Sequence, residues 1–526
     1  MPRLSRFTVP LLCFGFLAGC SDDGGAAAGT ADGDGTADGD GTTGGGGAGA
    51  GSGTDGDATG DAGTSGGADS SDGGESSGDS GDSDGGSTGE PAVDWDAELD
   101  HVFPQDEVVN IQLDFARGDW SSMIWDFIDN YAKDYRPAEF TFGAETLPEI
   151  GARLKGFSSL LFIMDQQMSF DPTLNFPLKL NFDYYDGEEF HHFDKLALGN
   201  NWSDRSYMRE RLAARAYAAM QVPVSTTAYA GVEVDDTYLG VYTMVQPIDK
   251  EFLKAHYGTV DGMDDGNLYK CSRTEGDHCR LQWYGPLQSG YVTEDCPEGY
   301  DECGLILKTN EDDPLMNDYS DLIAFLAVVN NTTDPEFEQQ IEEVFEVDSF
   351  LRLTAVTIAL SSFDSYFGMG NNFYLYRRPD TGRFEMIPWD MNMAYGGFNC
   401  GSPGNPDPAI PGADMTQAAV DGTFCRSDDN DYPLAERLLA IPAYRAVYQG
   451  YLRDVAETVL TNEQQSAWIE EFDGLIGQGL QTDPNYPWDY ADYTEALSNE
   501  FSPWYRYNLM DFVERRRQFI LANTPG

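Results

Sequence analysis

Apolar and polar positions alternate with two different periods along this chain, and the periods divide it into a strand-rich front and a helix-rich rear. Val108 to Leu113 (VVNIQL) has the period of two that predicts a half-buried strand, and Trp120 to Tyr131 has helical spacing with Asp119 as N-cap. Ile150 to Leu154 reads as a strand entering Lys155 to Leu160 (KGFSSL), and Phe176 to Phe182 (FPLKLNF) as another with Lys179 inside it. In SDRSYMRERLAARAYAAM, Met208, Leu212, Ala216 and Met220 fall on one face of a helix that Ser203 or Asp204 can cap. AYAGVEVD and YLGVYTMVQ follow as strands joined near Asp236. This order predicts an antiparallel sheet with one helix laid across it.

Beyond a cysteine-bearing stretch the period becomes helical. Leu322 to Val329 and Phe350 to Leu360 predict buried helices, the second capped by Asp348 or Ser349, and Leu434 to Leu460 and Leu509 to Ala522 predict further helices. A hairpin interrupts them, because Pro379-Asp380-Thr381-Gly382 is a strong turn signal between NNFYLYRR and RFEMIPWD. If Arg378 faces Arg383, Asn372 falls opposite Trp389 and Asp390 lies one residue beyond. Asn371, Asn372 and Asp390 then share the end of the sheet at which the loop from Asp364 arrives.

Composition sets the ends apart from this body. Arg3 and Arg6 precede the apolar run Phe7 to Gly19, which is too short to span a bilayer, so residues 1–20 read as an export signal. Leu17-Ala18-Gly19-Cys20 resembles the bacterial lipobox, which implies that Cys20 is lipidated; in an ordinary cleavable signal Cys20 has no role. Residues 21–93 contain no Lys, Arg or aromatic residue and are mostly Gly, Asp, Ala, Ser and Thr, too poor in apolar surface to offset chain entropy. They read as a disordered tether, and the Asp-Gly-Asp-Gly pieces at 32–35 and 38–41 lack the terminal Glu of a calcium loop.

The net charge of −59 comes from 90 acids against 31 bases, most of both beyond the tether. It excludes nucleic acid as a partner and leaves the lipid anchor as the only membrane contact, while favouring cations or a protein substrate with a basic segment. Six cysteines in the body, Cys271, Cys279, Cys296, Cys303, Cys400 and Cys425, suit three disulfides in an exported chain. Proximity favours a cluster from Cys271 to Cys303 and a pairing of Cys400 with Cys425; zinc is the alternative, with His278 the only imidazole nearby.

Two acids and a carboxamide converging at one hairpin end suit a hard cation such as Mg²⁺ or Mn²⁺, which clamps phosphates. Phosphoryl transfer uses such parts: one acid orients the attacking hydroxyl, an Asn and a second acid hold metal, and a strand Lys neutralises the phosphates. The plain alternative is that Asp364 and Asp390 are turn residues and the asparagines cap backbone.

KGFSS (155–159), PLKLNF, MRERLA, YLGVYTMVQPIDKEFL, GNLYK, FD…NNFYLY and IPWDMN, in this order, resemble the spore-coat protein H (CotH) kinase family. The resemblance covers Val108 to Leu452 and is densest from Asp364 to Gly396. It implies an α+β, atypical protein-kinase-like two-lobed fold over residues 94–526. The N-lobe, about 105–250, would be an antiparallel sheet with one helix; a Cys-rich insertion, about 258–305, and a helical C-lobe with the catalytic hairpin, about 306–526, would follow. It further implies a kinase in the bacterial cell envelope that uses ATP with Mg²⁺ or Mn²⁺ to phosphorylate a protein hydroxyl. Asp364 would be the catalytic acid, Asn372 or Asn371 a metal ligand, and Asp390 the counterpart of the metal-binding acid. Lys179 would contact the α and β phosphates with Glu210 as its ion-pair partner, and Lys155, Gly156, Ser158 and Ser159 would cover the nucleotide.

Three departures qualify the resemblance. Asn392 stands where the family usually has a second acid, Gln246 where it usually has Glu, and seven residues separate Asp364 from Asn372 where ordinary kinases have four. They keep open a weak or inactive kinase-like surface lipoprotein that acts as a binding or structural module. A calcium-dependent adhesive protein is a third reading.

Overall fold

The computed structural model describes residues 93–525, apart from 157–158, 161–162, 164–170, 186, 188, 259–261, 273–277, 294–302, 369, 399–413, 422–431 and 501–506. The expected export signal, Cys20 and residues 21–92 of the expected tether lie outside the described residues.

Seven strands form the front half: β1 Val108–Phe115, β2 Arg136–Phe142, β3 Glu145–Leu154, β4 Leu178–Asn181, β5 Lys195–Gly199, β6 Thr227–Val234 and β7 Thr237–Val245. They close into a barrel of order β1-β2-β3-β4-β5-β7-β6. The open antiparallel sheet expected from the sequence is thereby corrected: β1 and β6 run parallel, from Val108 opposite Tyr229 to Leu113 opposite Val234, and remove the free edges. Alternate residues fill the interior, among them Ile111, Phe140, Leu154, Leu178, Leu180, Leu198 and Met244.

The helix Arg209–Ala219 starts later than the expected cap at Ser203 or Asp204: Met208 is its N-cap residue, and the Asp204 carboxylate, a turn ahead, accepts the main-chain N–H groups of Met208 at 2.9 Å and Arg209 at 2.8 Å. Met208, Leu212, Ala216 and Met220 are all buried, yet they join the core of the rear half rather than the barrel's. A closed barrel has already packed its interior, so the helix turns its apolar face the other way. Tyr217 Oη fixes it there, 2.8 Å from Thr357 Oγ1 of the rear helix Val347–Ala359.

A second sheet has the order β12-β11-β8-β10-β9 and consists of β8 Leu268–Ser272, β9 Val292–Thr293, β10 Cys303–Leu307, β11 Phe373–Arg377 and β12 Phe384–Pro388. The cysteine-bearing stretch is therefore more than loop: β8 pairs directly with the hairpin strand β11, Lys270 opposite Tyr374. Cys271 of β8 is bonded to Cys279, and Cys303 is also in a disulfide; Cys296, Cys400 and Cys425 lie outside the described residues. Helices complete the rear half. Pro442 starts a new one, so the expected Leu434–Leu460 segment is Pro433–Ala440 followed by Pro442–Asp454, as a residue without an N–H requires. Arg516, fully buried, donates to the main-chain oxygens of Ile358, Ala359, Thr416 and Ala418 and so anchors the helix end that leads to Asp364.

Candidate active site at the hairpin end

The hairpin has the register its turn predicts. Arg378 N–H donates to Arg383 O at 2.9 Å, Phe373 lies opposite Pro388, and Trp389 N–H donates to Asn372 O at 3.1 Å. Past this last pair, Asn372 and Asp390 both adopt left-handed backbone with φ of 54°. Such φ values are uncommon outside Gly and are best tolerated by Asn and Asp. The side chains then lock the loop together. Asn371 Nδ2 donates to Asp364 Oδ1 at 3.0 Å and Asn372 Nδ2 to the Asp364 carbonyl at 2.8 Å. Asn392, at the position where a second acid was expected by resemblance, donates through Nδ2 to Asp390 Oδ1 at 2.6 Å.

Glu210 reaches this cluster from the first turn of its helix, and its Oε1 accepts the Met391 N–H at 3.2 Å. Burial and the neighbouring Asp390 push its carboxyl up to about 8, opposed by Lys155. Lys155 is thus a cation that acts on Glu210, for which the resemblance implied Lys179 as ion-pair partner. Lys155 lies 5.7 Å above the Trp389 ring and so stands beside Asp390. Lys179 acts on Asp249, whose carboxyl is pushed up to about 6 by burial against the opposing charges of Lys195 and Lys179.

Barrel alternation explains both placements. Leu154, Leu178 and Leu180 point inward, so Lys155 and Lys179 share the outer face with Arg153, which lies opposite Lys179. Lys195, two residues from Ala197 opposite Lys179, belongs to that face too. Of these four cations Lys155 stands beside Trp389 and Glu210, whereas Lys195 and Lys179 face the acid Asp249. Strand alternation puts Lys155 on the face of Arg153, but no local signal in the chain pairs it with Glu210.

Gly156 follows with φ of 77°, and a Cβ there would lie 2.7 Å from Ser159 Oγ, so the turn needs glycine. Ser158 lies outside the described residues. Gln246 is fully buried and its Oε1 accepts the Thr226 N–H at 3.2 Å, which binds the end of β7 to the start of β6.

The donor set fits a hard divalent cation. Asn371 Oδ1 is a buried acceptor without a hydrogen-bond partner among the described residues, and it shares a side chain with the amide that holds Asp364. The half-buried Asp390 raises the carboxyl of the buried Glu210, a like-charge conflict that a cation would relieve. A family model described as CotH kinase protein matches residues 167–520. The chain belongs to the CotH kinase family. The match includes Lys179, Glu210, Asp364, both asparagines and Asp390, and begins beyond Lys155. Inner spore coat protein H of Bacillus subtilis (strain 168) is 25% identical over 219 residues, which are 40% of this chain and 53% of that relative. The aligned part therefore spans about half of the relative's length.

Proposed function

We propose that this CotH kinase family member transfers the γ-phosphoryl group of ATP to a protein hydroxyl, with Mg²⁺ or Mn²⁺ held by Asp390 and by Asn371 or Asn372. The single observation that supports this reading is the meeting of Asp364, Asn371, Asn372, Asp390 and Glu210 beside Lys155. The cation would neutralise charge developing on the phosphates. Asp364, its carboxylate held by Asn371, orients the acceptor hydroxyl and takes its proton. Lys155 and Lys179, on the basic outer face of the barrel, bind the phosphate oxygens and align the chain of phosphates with Asp364. Glu210 keeps Lys155 and the Met391 backbone in position. The acidic surface favours an acceptor segment rich in Lys or Arg.

The relative is by name a protein of the inner spore coat, and with the apolar start of this chain that favours an exported, lipid-anchored protein acting in the cell envelope. No helix among the described residues is long and apolar enough to cross a membrane. Asn392 supports a second reading, a kinase-like binding module, because its amide occupies an Asp390 oxygen that would otherwise face a cation. Incubation of the full chain with γ-labelled ATP and Mg²⁺ or Mn²⁺ separates the two. Label transferred to the chain or to a basic protein, and lost in Asp390→Ala, supports the kinase; nucleotide binding without transfer supports the module.

A further inference from the structure

A second cluster of ligating side chains lies on the barrel, away from the Asp364 to Asp390 cluster. His101 comes from the last turn of the helix Trp95–Val102, Glu145 is the first residue of β3, and His191 sits in the turn between β4 and β5. His101 Nε2 is 2.8 Å from Glu145 Oε1, and His191 Nε2 is 2.9 Å from Glu145 Oε2. One ligand atom from each residue lies within 4.8 Å of the others, and the two imidazole centroids are 4.0 Å apart. Behind them, Glu98 Oε2 is 3.0 Å from His191 Nδ1.

The backbone has gone out of its way to present His191. Phe190 and Phe193 exchange two main-chain hydrogen bonds of 3.0 Å around a two-residue turn, in which His191 and His192 have φ of 52° and 63°. Asn-Gly is the favoured occupant of that turn. The turn requires left-handed backbone at both positions, which His tolerates better than most residues, and it fixes the direction from which His191 arrives.

We propose that His101, Glu145 and His191 form a zinc-binding site, with Glu98 orienting His191 through Nδ1. Two imidazole nitrogens and a carboxylate are the donors zinc prefers, and they leave a fourth position for water. With bonds of about 2.0–2.1 Å, tetrahedral donors lie roughly 3.3 Å apart; the imidazoles now meet different oxygens of Glu145, and the three ligand atoms, all within 4.8 Å of one another, come to that spacing by side-chain rotation. A carboxylate behind a metal-bound imidazole fixes its tautomer and raises its basicity, which is the place Glu98 takes. The ligands come from elements 44 and 46 residues apart, so the ion would clamp the first described helix to two hairpins of the barrel. The large negative charge of the chain concentrates cations near such a site.

The test titrates the full chain, stripped with chelator and free of nucleotide, with Zn²⁺ alone by calorimetry. One Zn²⁺ per chain should bind with Kd of about 1 μM or tighter. His101→Gln and His191→Gln should each weaken it at least 100-fold, and Glu98→Gln about 10- to 100-fold. Zinc should raise the Tm of the wild type by several degrees and that of His191→Gln not at all. Asp390→Ala should bind this zinc as the wild type does, and His191→Gln should leave phosphoryl transfer unchanged, which separates the site from the proposed active site. Wild-type protein that binds no zinc at about 100 μM, or binding that survives both histidine substitutions, would overturn the proposal. Should the variants fail to fold, Co²⁺ in the wild type decides: visible absorption of a four-coordinate nitrogen and oxygen site supports it, and a purely six-coordinate aquo-like spectrum contradicts it.

Discussion

Glu210 Oε1 accepts the main-chain N–H of Met391 at 3.2 Å, and this one bond joins the helix after the barrel to the residue next to Asp390. Because Glu210 is buried beside a second acid, its carboxyl keeps its proton until the pH rises to about 8. The relationship makes the helix a carrier of the site's charge balance as well as a layer of packing.

Stability should depend on pH through Glu210. Its carboxyl is pushed up to about 8 in the fold against an ordinary 4.5, so below 4.5 it is protonated in both states and its contribution is complete. As pH rises through that window the unfolded chain releases the proton while the fold retains it, and stability is lost up to about 8. Glu210→Gln should show a smaller fall in Tm between about pH 5 and pH 8 than the wild type, in the absence of divalent metal. An identical fall would mean that Glu210 is ionised throughout.

Asn392→Asp removes the amide that donates to Asp390 and puts a carboxylate in its place. Without metal the variant should lose roughly 2–4 °C of Tm from like-charge repulsion. With Mn²⁺ and nucleotide it should gain several-fold in metal affinity, measured by electron paramagnetic resonance titration. Weaker metal binding would show that Asn392 itself serves the cation.

Arg516→Lys should cost about 2–4 kcal/mol, read from the denaturant midpoint, because an ammonium cannot serve the four carbonyls that the buried guanidinium joins. The loss should extend to activity, since the helix end anchored there leads to Asp364. Unchanged stability would mean that water replaces the fork.

Gly156→Ala places a Cβ 2.7 Å from Ser159 Oγ at a φ of 77°. The turn should shift with little change in global Tm, and the KM for ATP should rise about tenfold as Lys155 is displaced. A wild-type KM would remove this turn from nucleotide binding.

The hairpin was legible because its determinants are local. Pro379 to Gly382 sets the turn, the turn sets the register, and the register carries Asn372 to Trp389 and Asp390. The helix itself was legible from its apolar spacing, but its start was not, because Asp204 serves the first N–H groups from a turn ahead of the N-cap residue Met208. What the sequence did not disclose depends on distant pairing. Val108 meets Tyr229 in a parallel ladder that leaves no mark in either strand's alternation, so a barrel looked like an open sheet. The side of the helix that is apolar was readable, but which core it faces follows only from that closure. Lys179 and Lys155 share a face, and only the packing of the helix against the Asp390 loop decides that Glu210 responds to Lys155. His101, Glu145 and His191 went unremarked because no spacing rule joins residues on three separate elements.

An anomalous-difference map from crystals of the full chain, soaked with Mn²⁺ and a non-hydrolysable ATP analogue, tests the proposed phosphoryl-transfer site most directly. A manganese peak ligated by Asp390 and by Asn371 or Asn372, with phosphate oxygens between it and Lys155, is the expected result. Nucleotide bound elsewhere, or manganese absent from Asp390 at full nucleotide occupancy, would contradict it.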